Sequence, residues 1–170
     1  MAASQGRRMK RDAEYAVVYA LRCAVCCTLA YGLAYAVGLG QPIWAAISAV
    51  VVSQEKLGDT QASLASRVAG TALGAAISVA VGLAGGLVGG ATLADMAISV
   101  GIAAAIAHFR PNLRVAMFTC PIVLMTAQAS QPLLEVGFRR ACEVSLGAVV
   151  GWAIHRIAET VQKKAGKPAE

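Results

Sequence analysis

The chain has 170 residues, 58% of them hydrophobic and only 14% charged, with a formal net charge of +6. Its mean hydropathy is +0.64. A soluble domain carries about a quarter charged residues, and a disordered chain has few apolar ones, so neither class fits.

The position of the charge is informative. No Asp, Glu, Lys or Arg occurs from Cys23 to Gln54, from Val68 to Ala94, or from Val115 to Leu134, which are gaps of 32, 27 and 20 residues. About 20 apolar residues in a helix cross a bilayer core. The basic residues fall between these stretches and read as topology signals. A nucleic-acid footprint would cluster them on one folded face, so the expected partner is the lipid bilayer and not nucleic acid. Arg7, Arg8, Lys10 and Arg11 precede an apolar run too long for a signal peptide, which makes that run an uncleaved first span.

Residues 1–14 form a basic tail, expected to be cytoplasmic. Helix 1 is expected from about Tyr15 to Gly38, with Gly38 to Gln41 as the turn. Helix 2 opens at Pro42, which suits a first helical turn, and runs to about Leu57. Helix 3, capped by Asp59 or Thr60, continues through Arg67 to about Gly85. A glycine-rich turn, Gly85 to Gly90, leads to helix 4, about Ala91 to Phe109. Arg110, Pro111 and Asn112 break the chain before helix 5, about Leu113 to Ser130, in which Pro121 is expected to kink the axis. Helix 6 runs from Pro132 to about Glu159, and residues 160–170 form a second basic tail. The fold class is therefore an all-α integral membrane protein with six transmembrane helices over residues 15–159. With both termini inside, 12 of the 15 basic residues lie on the cytoplasmic side, which predicts an N-in/C-in topology in a bacterial cytoplasmic membrane.

Two segments match at an offset of 73. Arg67-Val-Ala-Gly70-Thr-Ala-Leu73-Gly74 aligns with Arg140-Ala-Cys-Glu143-Val-Ser-Leu146-Gly147. Helices 1 and 4 show no comparable match. Three spans per copy would give two inverted repeats. Small residues recur every fourth position at Gly70, Gly74, Ser78, Gly82, Gly86 and Gly90, and again at Gly147 and Gly151. Such a stripe admits close helix packing. A stripe along which the two halves slide is the alternative.

The opening of the first span at Leu21-Arg22, the segment Pro42-Ile-Trp44-Ala-Ala-Ile-Ser48 ending at Gln54, and Arg67-Val-Ala-Gly70-Thr71-Ala-Leu-Gly74 together resemble one family. It is the membrane domain of the fusaric acid resistance protein-like family, the aromatic acid exporter group. The plant aluminium-activated malate transporters have a similar six-helix domain. The resemblance covers roughly residues 15–157 and implies transport, by export or conduction, of small organic and often aromatic anions. It also implies homo-oligomers, dimers foremost. Larger members carry a second membrane half or a long cytoplasmic domain. Here 11 residues follow helix 6, so a second reading stands beside transport: a non-transporting membrane module that assembles with a partner protein.

Ionisable groups inside a membrane are costly, so each is a site candidate. Arg22, Arg67 and Arg140 are candidate anion contacts, with snorkelling to the headgroups or interfacial anchoring as the alternatives. Arg67 and Arg140 are expected near opposite membrane faces, as gates. Trp44 belongs to an interfacial belt or stacks on an aromatic substrate. Glu143 is a candidate proton carrier or the ion-pair partner of Arg139 or Arg140. Asp95 faces the positive end of helix 4. His108 and His155 are expected on the surface. Cys23, Cys26 and Cys27 share a helix face without a nearby His or carboxylate to complete a tetrahedral shell. No metal or cofactor is expected, and no hydrolase, zincin or P-loop motif points to an enzyme.

Overall fold

The computed structural model describes residues 2–53, 57–85, 93–127 and 132–164. These form six α-helices: α1 (Ala2–Ala36), α2 (Ile43–Ser53), α3 (Leu57–Ala84), α4 (Leu93–Phe109), α5 (Val115–Thr126) and α6 (Leu133–Lys164). A single 3-10 turn, Pro111–Leu113, precedes α5. Gln54, Gly86, Gly90 and Gln128 lie outside the described residues.

Helix α1 ends on a glycine for a conformational reason. Gly38 has φ +78. Its N–H donates to Tyr35 O, and the N–H of Leu39 donates to Ala34 O, both at 3.0 Å. This is the paired bonding of a Schellman stop, which needs a left-handed residue. Leu39 completes it by packing against the cluster that holds Ala34. Pro42 then opens α2, and its carbonyl accepts from Ala45 N and Ala46 N.

Several boundaries differ from the sequence expectation. Helix α1 begins at Ala2, so the basic N-terminal segment is helical and continuous with the apolar stretch Tyr15–Ala36. Leu57 belongs to α3, which places Asp59 and Thr60 inside its first turn, where neither is the cap. Helix α6 runs on to Lys164. Only Tyr15–Ala36 and Thr60–Ala84 are both long and apolar enough to cross a membrane among the described residues. Helices α2 and α5 have 11 and 12 residues, about 17 and 18 Å at 1.5 Å per residue. Each falls short of a hydrocarbon core of about 30 Å.

The helices pack in pairs that mirror one another. Helix α2 lies against α1 and α6, and α5 lies against α4 and α3. Helices α3 and α6 cross at the centre and run antiparallel. At one end Gly137 meets Ala75 and Val79; at the other, Gln61 and Leu64 share a shallow cleft with Val149 and Trp152.

Two of the apolar cores are images of each other. One joins Ala30, Ala45 and Ala49 with Leu146, Val150 and Ile154. The other joins Ala103, Ala116 and Cys120 with Leu73, Ile77 and Val81. Taken in that order, the six pairs match with an offset of 73 for α1/α4 and α3/α6, and 71 for α2/α5. Helices 1 and 4, which show no match in sequence, match in register: Cys26, Ala30 and Ala34 are buried on α1, and Ser99, Ala103 and Ala107 on α4. What they share is small size on one face. The two halves thus bury equivalent positions at these offsets.

Close approach explains the glycines. A Cβ on Gly147 would fall onto Ala45 O and lie 2.7 Å from Ala45 C. One on Gly151 would lie 3.0 Å from Ala49 Cα. In the first half, a Cβ on Gly74 would lie 2.8 Å from Ala116 O.

Candidate functional site

The short helices decide what sits at the centre. Helix α2 packs along α6. A cavity of about 160 Å³ lies at its N-terminal end, lined by Gly40, Gln41, Trp44, Ile122, Thr126, Val136, Arg139, Arg140 and Glu143.

Arg140 is only 7% exposed. Its guanidinium carbon sits 3.4 Å from the centroid of the Trp44 ring, a distance for cation–π stacking. Nη1 is 3.9 Å from Glu143 Oε2, too far for a hydrogen bond. Nε and Nη1 have no hydrogen-bond partner. A buried cation costs several kcal/mol on the order-of-magnitude scale unless it is paired and hydrogen-bonded. Trp44 and Glu143 offset part of that cost, and the planar fork of donors remains available to an anion.

Glu143 is held from elsewhere. Its Oε1 accepts the backbone N–H of Gln41 at 2.7 Å, at the start of α2, where the free amides and the helix dipole favour a carboxylate. Gln41 in turn accepts from Trp44 Nε1 at 2.8 Å, which fixes the ring beneath Arg140. Arg139 pairs with Glu135 at 2.8 Å, both half-exposed, and passes beside Gly40, where its Nη1 would lie 3.6 Å from a Cβ.

Arg67 reaches the same helix one turn on. Its Nε donates to Ser48 Oγ at 3.2 Å, and Ser48 donates to Val144 O at 2.8 Å. The charge of Arg67 is felt at Arg140. The two arginines, expected near opposite faces, therefore converge on consecutive turns of α2. The reason is the inverted packing: Arg67 lies well inside α3 and Arg140 two turns inside α6, and those helices cross beside them. Arg22 is half-buried on α1 with its guanidinium carbon 5.3 Å from the Tyr19 ring, and the cavity lining does not include it.

Other candidates fall as follows. Trp44 offers a ring face that Arg140 already covers. Asp95 lies in the first turn of α4 and is buried. His108 is exposed, but His155 is 3% exposed and is not a surface residue, because α6 turns that position inward one turn past Gly151. Sequence reasoning missed Gln41, Gly40, Ile122 and Thr126. Only the repeat carried a signal, since Glu143 stands where the first copy has Gly70.

The described residues thus form an all-α bundle with a buried arginine beside a polar cavity. The profile of the fusaric acid resistance protein-like family matches residues 29–154, and the chain belongs to that family, one of membrane transport proteins. The matched region runs from the last eight residues of α1 into α6 and includes the whole cavity. No curated protein and no solved structure matches the chain.

Proposed function

We propose that the chain moves small organic anions, aromatic acids among them, outward across a bacterial cytoplasmic membrane, and that Arg140 holds the carboxylate. One observation carries this reading: a cation more than nine-tenths buried, stacked on Trp44, with two donors unmet beside a cavity of about 160 Å³. A cavity of similar size holds a benzene ring, so a carboxylate on a six-membered ring or a short chain fits.

The other residues take supporting roles. Arg67 adds positive potential one turn away, and Arg22 draws anions toward the α1 side. Glu143 competes with the substrate for Arg140 and gives way when it takes a proton, which couples binding to pH. Gly70, Gly74, Gly147 and Gly151 let the halves meet closely. The basic-residue bias sets both termini inside with six crossings. The short α2 and α5 cross together with their flanking residues. A homodimer is the working assembly.

The test is binding and efflux of labelled aromatic and aliphatic acids with purified protein and proteoliposomes. Arg140→Gln should weaken binding by about ten- to hundredfold, the worth of a hydrogen bond to a charged group. Arg140→Lys should fall between, keeping charge but losing the fork. Well-folded wild type that neither binds nor moves any acid would overturn the proposal in favour of a partner-binding module.

A further inference from the structure

Gln41 lines the cavity with most of its own polar groups already fixed. It stands between Gly40 and the Pro42 that opens α2, and a residue before proline is held toward extended backbone. Its backbone N–H donates to Glu143 Oε1 at 2.7 Å, and its carbonyl accepts from Trp44 N at 3.2 Å. Its side-chain oxygen accepts from Trp44 Nε1 at 2.8 Å. An indole N–H can only donate, so the amide oxygen must be the atom that faces it. The amide nitrogen, with two N–H donors, is left on the other branch of the side chain, and no bond among the described residues takes it up.

Glu143 bridges Gln41 to Arg140. One carboxylate oxygen takes the Gln41 N–H, and the other lies 3.9 Å from Arg140 Nη1, so both residues are within reach of one small ligand. Gln41 is exposed and Arg140 buried, so the lining runs from an open end to a closed one. The other neutral side-chain donors of the lining are spent. Thr126 Oγ1 donates to Ile122 O at 2.7 Å, and Trp44 Nε1 donates to Gln41. Arg139 is held by Glu135 at 2.8 Å. The Gln41 amide is thus the neutral donor available to a ligand, beside the unmet Nε and Nη1 of Arg140.

We infer that Gln41 is a specificity-determining residue: its amide N–H donates to a neutral acceptor that the substrate carries in addition to the carboxylate held by Arg140. The inference rests on the proposed role of Arg140. Trp44 serves both contacts. Its ring face lies under the guanidinium, and its N–H fixes the Gln41 oxygen, which reserves the nitrogen for the ligand. An acid with an acceptor oxygen across its ring from the carboxylate is therefore preferred to the hydrocarbon acid of the same shape.

The test uses full-length protein in nanodiscs and titration calorimetry with cyclohexanecarboxylate and with the tetrahydropyran-3- and tetrahydropyran-4-carboxylates. These acids share a ring size and differ by one acceptor oxygen. Gln41→Met keeps the length of the side chain and removes the donor. The affinity of the better tetrahydropyran acid relative to cyclohexanecarboxylate should fall about three- to tenfold from wild type to Gln41→Met, the worth of one neutral hydrogen bond. Gln41→Glu keeps an acceptor for Trp44 Nε1 and loses the donors. It should lower the same ratio while its charge weakens both acids, and it decides alone if Gln41→Met does not fold. A residue that only positions Trp44 would weaken both acids by one factor. An unchanged ratio in either folded variant would therefore overturn the inference and leave Arg140 in its role. If none of the three acids binds wild type, the carboxylate site of Arg140 falls and this inference with it.

Discussion

The guanidinium of Arg140 lies 3.4 Å above the ring of Trp44, across 96 residues of chain. The stacking does two things at once. It stabilises a buried cation, by about 2 kcal/mol for a desolvated pair, and it leaves Nε and Nη1 without a hydrogen-bond partner. It also occupies a ring face that an aromatic substrate would otherwise use.

A prediction about selectivity follows. Trp44→Leu should weaken binding of aromatic and aliphatic acids by similar factors, about ten- to thirtyfold, because what is lost is the platform under Arg140. Trp44→Phe should recover part of it. Titration with benzoate and with an aliphatic acid of similar size checks this. A selective loss for the aromatic acid would show that the substrate itself stacks on Trp44.

Packing at the half-to-half contact gives a second prediction. Gly147→Ala places a methyl group against the Ala45 backbone, which a side-chain shift cannot relieve. Overpacking of this kind costs about 1–3 kcal/mol or more. Gly147→Leu and Gly74→Leu should be worse and should disrupt assembly. Gly32→Ala is the control, since its Cβ meets nothing within 4 Å. Thermal melting in detergent with size-exclusion profiles tests the set. A Gly147→Ala protein as stable as the Gly32→Ala protein would contradict the close approach.

Some of this was legible in the sequence, for identifiable reasons. Charge-free stretches and glycine or proline punctuation marked all six helices, because those residues act locally: Gly38 stops α1 by its own φ, and Pro42 opens α2. The Arg67/Arg140 match pointed to the offset of 73 at which α3 and α6 also contribute to the two cores. The repeat between α1 and α4 was hidden because Cys26, Ala30 and Ala34 resemble Ser99, Ala103 and Ala107 in size rather than in identity. Arg140 on Trp44 and Gln41 on Glu143 join residues about a hundred positions apart, so no local pattern reports them. His155 was misplaced because hydropathy near a helix end does not say which way one side chain faces.

Glu143 yields a pH prediction with a definite sign. As a carboxylate it sits 3.9 Å from Arg140 and competes with a bound anion; protonated, it does not. The other charges nearby are Arg139, paired with Glu135 on the same helix, and Arg67 on α3, and α2 contributes none. Anion affinity should therefore rise as pH falls from neutral to acidic. Glu143→Gln keeps an acceptor for the Gln41 N–H and removes the charge. It should bind tightly at neutral pH and lose the pH dependence. Titrations of both proteins across that pH range decide the matter. A Glu143→Gln protein that retains the wild-type pH profile would remove Glu143 from the coupling.

Arg22 gives the last prediction, because the structure separates it from the cavity while leaving it half-buried on α1. A cation outside the binding site but beside the path acts on the rate at which anions arrive, not on how tightly they are held. Arg22→Gln should leave equilibrium binding within about twofold of wild type, a change smaller than one tenfold step of 1.4 kcal/mol, and should lower the rate of efflux. Arg22→Lys keeps the charge and should keep most of the rate, since steering needs no bidentate geometry. Raising the ionic strength should narrow the difference between wild type and Arg22→Gln, though less than for an exposed charge, because salt screens a partly buried charge less. Expression should survive Arg22→Gln, as removing an intramembrane charge eases insertion. Paired binding and proteoliposome efflux measurements at low and high salt provide the check. Loss of binding in Arg22→Gln would place Arg22 in the site itself, and an unchanged rate at low salt would leave it as a headgroup anchor.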